Sequence, residues 1–399
     1  RKLTQEPYAD VTYGSLGRVF EMLSGATPYI APYTRDGKFG SVQAIDNEGN
    51  LLYDNRNPLI DAANGETKGQ IDFLTVNASV EINFFKDLLW KTTLATSGNW
   101  AVIDRFNETI FGYTDDGRET MTKNYNREGL EISRNENTVI GNTLFSTLNY
   151  NHQFAENHDL GIIAGLQLEN ENKKNVYARR ANPPKEGLTQ VDAGTDGFQA
   201  EGNMQRLRMF SYFGRANYAF QNKYLFEANL RADASSRFKK GNRWGIFPGF
   251  SAGWRLGEEN FIKNLDLFSN LKLRVSWGEL GNQNIGWYWP YLAAINQNNN
   301  LSYSYGGTFS PGAAVTSLVD ENITWETTST FDIGFDLGFV NNKINMEADY
   351  FRKKTSDILV QLPIPALMGG VDSPWENAGE MVNTGFEFVN AIKQGAIPR

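Results

Sequence analysis

Residues 210–233 read FSYFGRANYAFQNKYLFEANLRAD, and this stretch decides the fold. On both sides of a turn at 221–223, every second residue is apolar or small. These positions are Phe210, Tyr212, Gly214, Ala216, Tyr218 and Phe220, then Tyr224, Phe226, Ala228, Leu230 and Ala232. Because successive side chains of a strand point to opposite sides, the stretch predicts an antiparallel hairpin with one apolar and one polar face.

The same alternation recurs along the chain. Further alternating segments are 74–84, 88–94, 144–154, 160–168, 244–256, 271–277, 325–339 and 344–350, with a last strand starting near Met381. This predicts about eleven strands. Most exceed the ~5–6 residues usual in soluble sheets and suit tilted membrane strands of ~9–11 residues. The predicted fold class is therefore all-β, an antiparallel transmembrane β-barrel.

Connections between these strands fall into two length classes. Short turns are expected at 86–87, 156–158, 221–223 and 341–343, and long polar loops at about 99–127, 172–203, 279–324 and 353–380. Short turns on one rim and long loops on the other are typical of outer-membrane barrels. A soluble β-sandwich or propeller would show the same alternation but neither the strand length nor the two loop classes.

Charge is sorted between the two faces of the predicted strands. None of the apolar-face positions carries a charge, although 21% of the chain is charged. A Lys or Arg that faces lipid at mid-depth costs ~2–4 kcal/mol of stability, which explains why the apolar face carries no charge. Besides Glu81, the opposite face carries the residues predicted to face the lumen: Arg215, Glu227, Arg231, Asp233, Lys272, Arg274, Asp332, Asp336, Glu347 and Asp349. At strand ends, Trp244, Trp254, Trp277 and Trp325 fit interfacial girdles, or ordinary core packing.

Composition excludes several classes of function. There is no cysteine and there are only two histidines, which disfavours disulfide scaffolds, zinc sites and most histidine catalysis. The net charge of −8 argues against a nucleic-acid partner, and no cofactor is predicted.

No apolar run approaches the ~20 residues of a membrane helix. The first and last residues form no signal peptide or complete element, so both ends are interpreted as cuts.

Two stretches, YLFEANLRADASSRF at 224–238 and NRWGIFPGFSAGWRL at 242–256, closely resemble the barrel of the SusC/RagA family of TonB-linked outer-membrane proteins. Further similar stretches follow in order: LKLRVSWGELGNQNIG from 271, ITWETTSTFDIGFDLGF from 323, INMEADYFRKKTSDIL from 344 and PALMGGVDSPWENAGEMVNTGFEF from 365. They cover most of residues 205–388. One departure is Ala234, where the family usually has glycine.

This resemblance implies a 22-stranded barrel in the outer membrane, surrounded by lipid and filled by an N-terminal plug. It also implies a SusD-like surface lipoprotein over the mouth, energy delivered by TonB, and import of oligosaccharides or peptides. Residues 1–70 are then expected to form an extracellular loop and strand connection, and 71–389 the barrel strands. The plug, the TonB-contacting segment and the final strands are expected to be absent from this chain.

The aromatic cluster Trp287, Tyr288, Trp289 and Tyr291 lies in a predicted long loop. Aromatic faces stack on sugar rings and apolar ligands, and loops often carry binding residues. The cluster is therefore a candidate substrate-binding site; contacts with the lipoprotein, lipid headgroups or other loops are the alternatives. Arg231, Asp233, Ser236 and Arg237 would either contact plug or substrate or pair charges across strands.

No catalytic residues are predicted, and the chain is not expected to be an enzyme. Glu258 and Glu259 are adjacent and read as a solvated short connection, not a converging glycosidase pair. Residues 115–117, DDG, read as a turn and lack calcium-loop spacing. His152 and His158 have no nucleophile elbow nearby. The alternatives to an active importer are a passive porin and a soluble β-rich glycan-binding protein or hydrolase.

Overall fold

A computed structural model describes residues 2–6, 31–45, 51–55, 57, 59, 66–106, 111–114, 119–123, 131–184, 187–286, 288–365, 367 and 371–392. Its strands are β1 (Lys2–Glu6), β2 (Val42–Ile45), β3 (Leu51–Asn55), β4 (Glu66–Phe85), β5 (Leu88–Phe106), β6 (Phe111–Tyr113), β7 (Glu119–Lys123), β8 (Glu131–Phe154), β9 (His158–Ala181), β10 (Asp196–Phe220), β11 (Tyr224–Ser235), β12 (Trp244–Trp254), β13 (Asn270–Asn282), β14 (Ile295–Tyr305), β15 (Thr308–Val315), β16 (Glu326–Phe339), β17 (Ile344–Gln361) and β18 (Trp375–Ile392).

Helical structure is limited to short pieces in the described residues. Two 3₁₀ turns cover Val191–Ala193 and Leu256–Glu258, and one α-helical turn covers Asn260–Lys263. In the described part of the chain, no helix has the length and apolar character needed to cross a membrane.

Twelve strands form one sheet in the order β1-β4-β5-β8-β9-β10-β11-β12-β13-β16-β17-β18. Neighbours in this order pair antiparallel, as the ladders of β10 to β13 and of β16 to β18 show. The remaining strands form the hairpins β2-β3, β6-β7 and β14-β15. The prediction of an all-β antiparallel fold is confirmed. The twelfth strand, beyond the eleven expected, is the short β1.

The chain divides into two compact units. One comprises Arg1–Thr75, Thr96–Gly141 and Asn172–Gln205, and the other Val76–Ala95, Asn142–Glu171 and Arg206–Arg399. The predicted lumen and aromatic residues all belong to the second unit.

Many strands are longer than the alternating pattern predicted. β9 and β10 extend to Ala181 and from Asp196, so the expected loop at 172–203 shrinks to 182–195. β17 and β18 likewise shorten the loop expected at 353–380. These extensions are rich in polar side chains, as ENENKKN at 169–175 shows. Backbone pairing does not need an apolar face, so apolar alternation underestimates strand length.

Cross-strand register keeps the apolar residues in continuous rows. Phe226 pairs with Tyr218 and Ala252, and Trp277 pairs with Phe250 and Phe331. Side chains on this apolar face stay open: Leu230 is 55% exposed and Ile246 63%. A sandwich would instead cover such a face with a second sheet. The side chains of the apolar face are therefore free to contact an apolar environment.

The short turns rely on left-handed backbone conformations. Gln221 and Asn222 have φ of 51° and 53°, and Asn341 and Asn342 have φ of 55° and 57°. Asparagine tolerates this region better than most residues, which fits its use here. The expectation that one rim carries only short turns and the other only long loops was wrong at two places. The β11-β12 connection at 236–243 is brief, and the β12-β13 connection at 255–269 contains the helical turn Asn260–Lys263.

Trp325 is not a girdle residue. It is 6% exposed and packs with Phe238, Phe247 and Ile323 in the main buried cluster of the second unit. β16 begins only at Glu326, so Trp325 is not held in the alternation of the strand. Its indole N–H donates to the Arg243 carbonyl at 2.8 Å. The remaining members of the cluster are Ile285 and Leu359.

Candidate functional site

The ten charged residues predicted to face a lumen share one face of the sheet. Lys272 pairs with Asp336, which pairs with Glu347, and the other ladders keep the same parity. The ten are Arg215, Glu227, Arg231, Asp233, Lys272, Arg274, Asp332, Asp336, Glu347 and Asp349. We call this surface the polar face. Cross-strand register thus brings together charges that lie up to one third of the chain apart.

Arg274 is the centre of the densest charge group on the polar face. Its Nε donates to Asp336 at 2.8 Å, and its Nη2 donates to Asp349 at 2.8 Å. Its Nη1 lies 3.4 Å from Asp332, and Lys272 Nζ lies 3.7 Å from Asp336. We call these five residues the Arg274 cluster. Three carboxylates against two cations leave it formally negative.

Arg231 organises a second group on the same face. Its Nε donates to both carboxylate oxygens of Asp233, at 2.8 and 2.9 Å. Its Nη2 donates to Ser211 at 3.0 Å and to Gln167 at 3.2 Å. Asp233 is 6% exposed and Ser211 is fully buried. The ion pair lies within β11, and the hydrogen bonds of Arg231 to Ser211 on β10 and to Gln167 on β9 connect it to the two preceding strands of the sheet.

A groove of about 650 Å³ runs along the polar face. Its lining includes Glu227, Lys272, Arg274 and Asp332. Glu227 also accepts a hydrogen bond from Asn229 at 2.7 Å. Arg215 and Glu347 share the face but belong to neither charge group. With Asp159, which also lines it, the groove presents three carboxylates and two cations.

The aromatic residues predicted to bind substrate are only partly free. Trp287 lies outside the described residues. Tyr291 packs against the main buried cluster, and Tyr288 donates its hydroxyl proton to Glu171 at 2.5 Å. Trp289 is 36% exposed, with its ring centroid 6.4 Å from that of Tyr288. Of the three described aromatics of the cluster, Trp289 offers the most accessible ring.

Arg237 lies over the Tyr288 ring, with Cζ 5.6 Å from the ring centroid. Its Nη1 donates to the Gln283 carbonyl at 3.1 Å. Burial lowers the pKa of Arg237, against the attraction of Tyr288 and Glu171. Burial and the hydrogen bond to Glu171 raise the pKa of Tyr288 to about 12. The tyrosine is therefore a neutral donor at physiological pH.

Two members of this site were missed by the sequence interpretation. Gln283 accepts from the Ser235 hydroxyl and donates through Nε2 to Met209 Sδ at 2.7 Å. Glu171 lies on β9, far in sequence from its partner Tyr288. No local pattern marks either residue, because their partners arrive from distant strands.

Other candidates take structural positions. His152 Nδ1 lies 2.8 Å from Asp87, and His158 Nδ1 lies 2.7 Å from the Tyr218 hydroxyl. The Ser236 hydroxyl accepts from the Arg208 amide at 2.9 Å. Residues 115–117 lie outside the described residues. Within the described residues, no group of three or more His, Asp and Glu side chains is arranged to hold a metal ion.

The prediction that Glu258 and Glu259 are simply solvated was wrong for Glu259. Its carboxylate accepts hydrogen bonds from the Tyr224 hydroxyl at 2.7 Å and from Trp254 Nε1 at 3.2 Å. Lys223 Nζ donates to it at 3.3 Å. Glu258 instead pairs with Lys263 at 2.6 Å. The backbone turn at 255–259 separates the two carboxylates, so they do not converge on one ligand.

Comparison with known proteins adds three sequence findings. Residues 9–394 match the sequence model of the family described as TonB dependent receptor-like, beta-barrel. The chain is 42% identical over 188 residues to TonB-dependent receptor SusC of Bacteroides thetaiotaomicron, covering 47% of this chain and 19% of that protein. It is 27% identical over 390 residues to TonB-dependent receptor P39 of Formosa agariphila, covering 94% of this chain and 34% of that protein. The chain thus spans about a third or less of these relatives.

Solved structures show the same fold. The RagAB peptide importer in its closed-closed state matches with a TM-score of 0.75 at 22% identity, over 88% of this chain and 38% of that one. The RagAB peptide transporter matches with a TM-score of 0.74, also at 22% identity, over 86% of this chain and 37% of that one.

Proposed function

The chain belongs to the TonB-dependent receptor-like β-barrel family, and from that premise we propose that it forms part of the wall of an active importer of oligosaccharides or peptides. It is an outer-membrane protein of the SusC/RagA type. Proteins of this family are receptors and transporters, not enzymes. A soluble glycan-binding protein or hydrolase is therefore set aside.

The sorting of the two sheet faces is the observation that carries the proposal. The apolar face leaves Leu230 and Ile246 more than half exposed, whereas the polar face carries paired ions and a groove. In a barrel wall, the first surface meets lipid and the second meets an aqueous interior. The ten residues of the polar face would then line the lumen, where they contact a plug or passing cargo.

The loop after β13 is the proposed place of first contact with cargo. Trp289 offers a ring face, and Arg237 and Tyr288 form a cationic and aromatic pair beside it. An exposed indole suits the apolar face of a sugar ring or a peptide side chain. The RagAB relative is described as a peptide importer, which supports peptides as one cargo class. Oligosaccharides are the other.

Two protein partners follow from the proposed function. TonB would supply the energy, through a region N-terminal to this barrel segment, and a SusD-like surface lipoprotein would cover the long-loop rim. The support for both is the similarity to SusC and to RagAB.

The test is uptake by cells of the bacterium that encodes the full-length protein. Labelled oligosaccharides and peptides are supplied to cells with the gene intact, deleted or restored, and with TonB present or absent. Uptake that needs both the gene and TonB supports the proposal. Uptake that needs the gene but persists without TonB indicates a passive porin instead.

Trp289→Ala tests the proposed contact site in the same assay. Its control is Trp244→Ala, which removes an indole that is 50% exposed on the apolar face. Lower uptake for Trp289→Ala alone, at equal amounts of folded protein, supports cargo contact by Trp289. Equal uptake for both variants and the unchanged protein removes Trp289 from the site.

A further inference from the structure

The β12-β13 connection, residues 255–269, exposes apolar side chains on the same rim as the short turns. We call this segment the rim connection. Phe261 is 60% exposed, Leu265 61% and Leu267 58%. Short connections of outer-membrane barrels lie on the periplasmic side, so this rim borders the inner leaflet. Three exposed apolar side chains in one connection indicate a surface that contacts a partner.

Glu259 fixes which side of the sheet the rim connection occupies. Its carboxylate is bound by the Tyr224 hydroxyl at 2.7 Å and by Trp254 Nε1 at 3.2 Å. Tyr224 pairs with Trp254 across β11 and β12, and both belong to the apolar rows. Their rings stack, with centroids 6.1 Å apart. The rim connection is therefore tied to the lipid side of the wall and not to its polar face.

Two carboxylates of the rim connection are paired, one within the segment and one with the neighbouring turn at 221–223. Lys263 Nζ lies 2.6 Å from Glu258, and Lys223 Nζ lies 3.3 Å from Glu259. Arg255 and Asp266 add one charge of each sign. With Lys223 counted as the partner of Glu259, the formal charges cancel, and the segment with its partner brings no net repulsion or attraction to lipid phosphates.

Backbone groups of the helical turn are also satisfied. The amides of Lys263, Asn264, Leu265 and Asp266 donate to carbonyls three or four residues earlier, at 2.9 to 3.1 Å. Unsatisfied backbone groups are costly wherever water is scarce. This segment therefore meets a condition for lying against hydrocarbon.

We propose that the rim connection is an interfacial anchor, seated in the headgroup region of the inner leaflet with Phe261, Leu265 and Leu267 against the lipid chains. Amphipathic segments of this kind enter the boundary by ~5–10 Å. Continuity with the apolar rows through Tyr224 and Trp254 identifies the partner as lipid. The hydrogen bonds of Glu259 to Tyr224 and Trp254 orient this anchor.

Spin labelling of the full-length protein tests this anchor, because this chain contains no cysteine to remove. A nitroxide is placed at Leu265→Cys in protein reconstituted in phosphatidylethanolamine and phosphatidylglycerol vesicles, with any cysteine outside this chain replaced. Collision with oxygen and with a water-soluble nickel chelate then reports depth. The expected ratio of oxygen to nickel collision is several-fold higher than at Asn157→Cys, an exposed position in the turn at 155–157 on the same rim.

Glu259→Ala, combined with Leu265→Cys, is expected to shift the label toward water while the heat-sensitive mobility of the folded barrel on gels is retained. A label at 265 that the nickel chelate reaches as readily as at 157 overturns the proposal. A label shielded from both oxygen and nickel also overturns it, because it means that protein covers the segment. A further label at Leu267→Cys gives a second reading if Leu265→Cys does not fold.

Discussion

Arg274 and Asp349 form an ion pair, with Nη2 2.8 Å from Oδ2, although their strands β13 and β17 are separated by β16. Gly334 lies between them and is the cross-strand partner of both. A Cβ at Gly334 would overlap the Asp349 carboxylate and lie 3.1 Å from Arg274 Cζ. The Arg274–Asp349 ion pair, which spans β16, therefore requires a residue without a side chain at position 334.

Gly334→Ala is expected to lower the free energy of unfolding by about 1–3 kcal/mol, the usual cost of overpacking. The methyl group displaces Asp349 and leaves Arg274 with fewer partners. Urea unfolding of the full-length protein in lipid vesicles measures the effect. Gly249→Ala is the matched control on the same face, because its Cβ would meet nothing closer than 3.8 Å. Equal costs for the two variants would contradict the steric argument.

Leu230→Arg is expected to destabilise the membrane-inserted protein by ~2–4 kcal/mol, because it places a cation against lipid near the middle of β11. The neighbouring change Asn229→Arg puts the same group on the polar face and is expected to cost much less. Unfolding in vesicles compares the two. If Asn229→Arg proves the costlier change, the assignment of faces is reversed.

Trp325→Ala is expected to cost about 3–5 kcal/mol of unfolding free energy, as for other large aromatic residues removed from a core. Trp325 is 6% exposed and its indole hydrogen bond to Arg243 is also lost. Trp244→Ala serves as control, since Trp244 is 50% exposed. A cost for Trp244→Ala as large as that for Trp325→Ala would argue that both indoles are girdle residues.

Glu259 gives the rim connection a dependence on pH. Hydrogen bonds from Tyr224, then Trp254 and Lys223, hold its pKa below the ordinary value of 4.5. A carboxylate with a depressed pKa contributes stability above its unfolded pKa and loses it as pH falls through the folded pKa. The nitroxide at position 265 is therefore expected to become more mobile below about pH 4.5.

Glu259→Gln is expected to abolish most of that change, leaving the titration of Glu258. The pKa of Glu258 is also lowered, by its hydrogen bond with Lys263. Glu258→Gln is accordingly the second control. If the pH profile of label mobility is unaltered in Glu259→Gln but flat in Glu258→Gln, the pH dependence belongs to Glu258 and the prediction for Glu259 is wrong.

Sequence alone predicted the hairpin at 210–233 because local chemistry fixes it. Apolar alternation assigns Tyr218 and Phe226 to one face, and a tight turn sets their register, so Tyr218 pairs with Phe226. The same reasoning assigned all ten charged residues to a common face. Period-two patterns carry this information within a few residues of each position.

Other features were beyond local reasoning. The sequence left Trp325 open between a girdle and a core position, because nothing in its neighbours indicates that β16 begins one residue later. Glu259 looked solvated because its donors Tyr224 and Trp254 reach it only after two strands pair. Glu171 and Tyr288 meet across a loop whose path the sequence does not specify. Contacts that depend on the pairing of several strands escape single-strand patterns.

Continuous apolar rows from β10 to β18 make strand pairing collective. A slip of one residue in the ladder between β11 and β12 would turn every later strand over and bring Lys272, Arg274 and Asp336 against hydrocarbon. Such a register shift cannot be corrected locally, because each following strand pairs with a strand that is already shifted. The bilayer thus selects for the correct register during assembly, because it disfavours insertion of a misaligned sheet before the loops can bind any cargo.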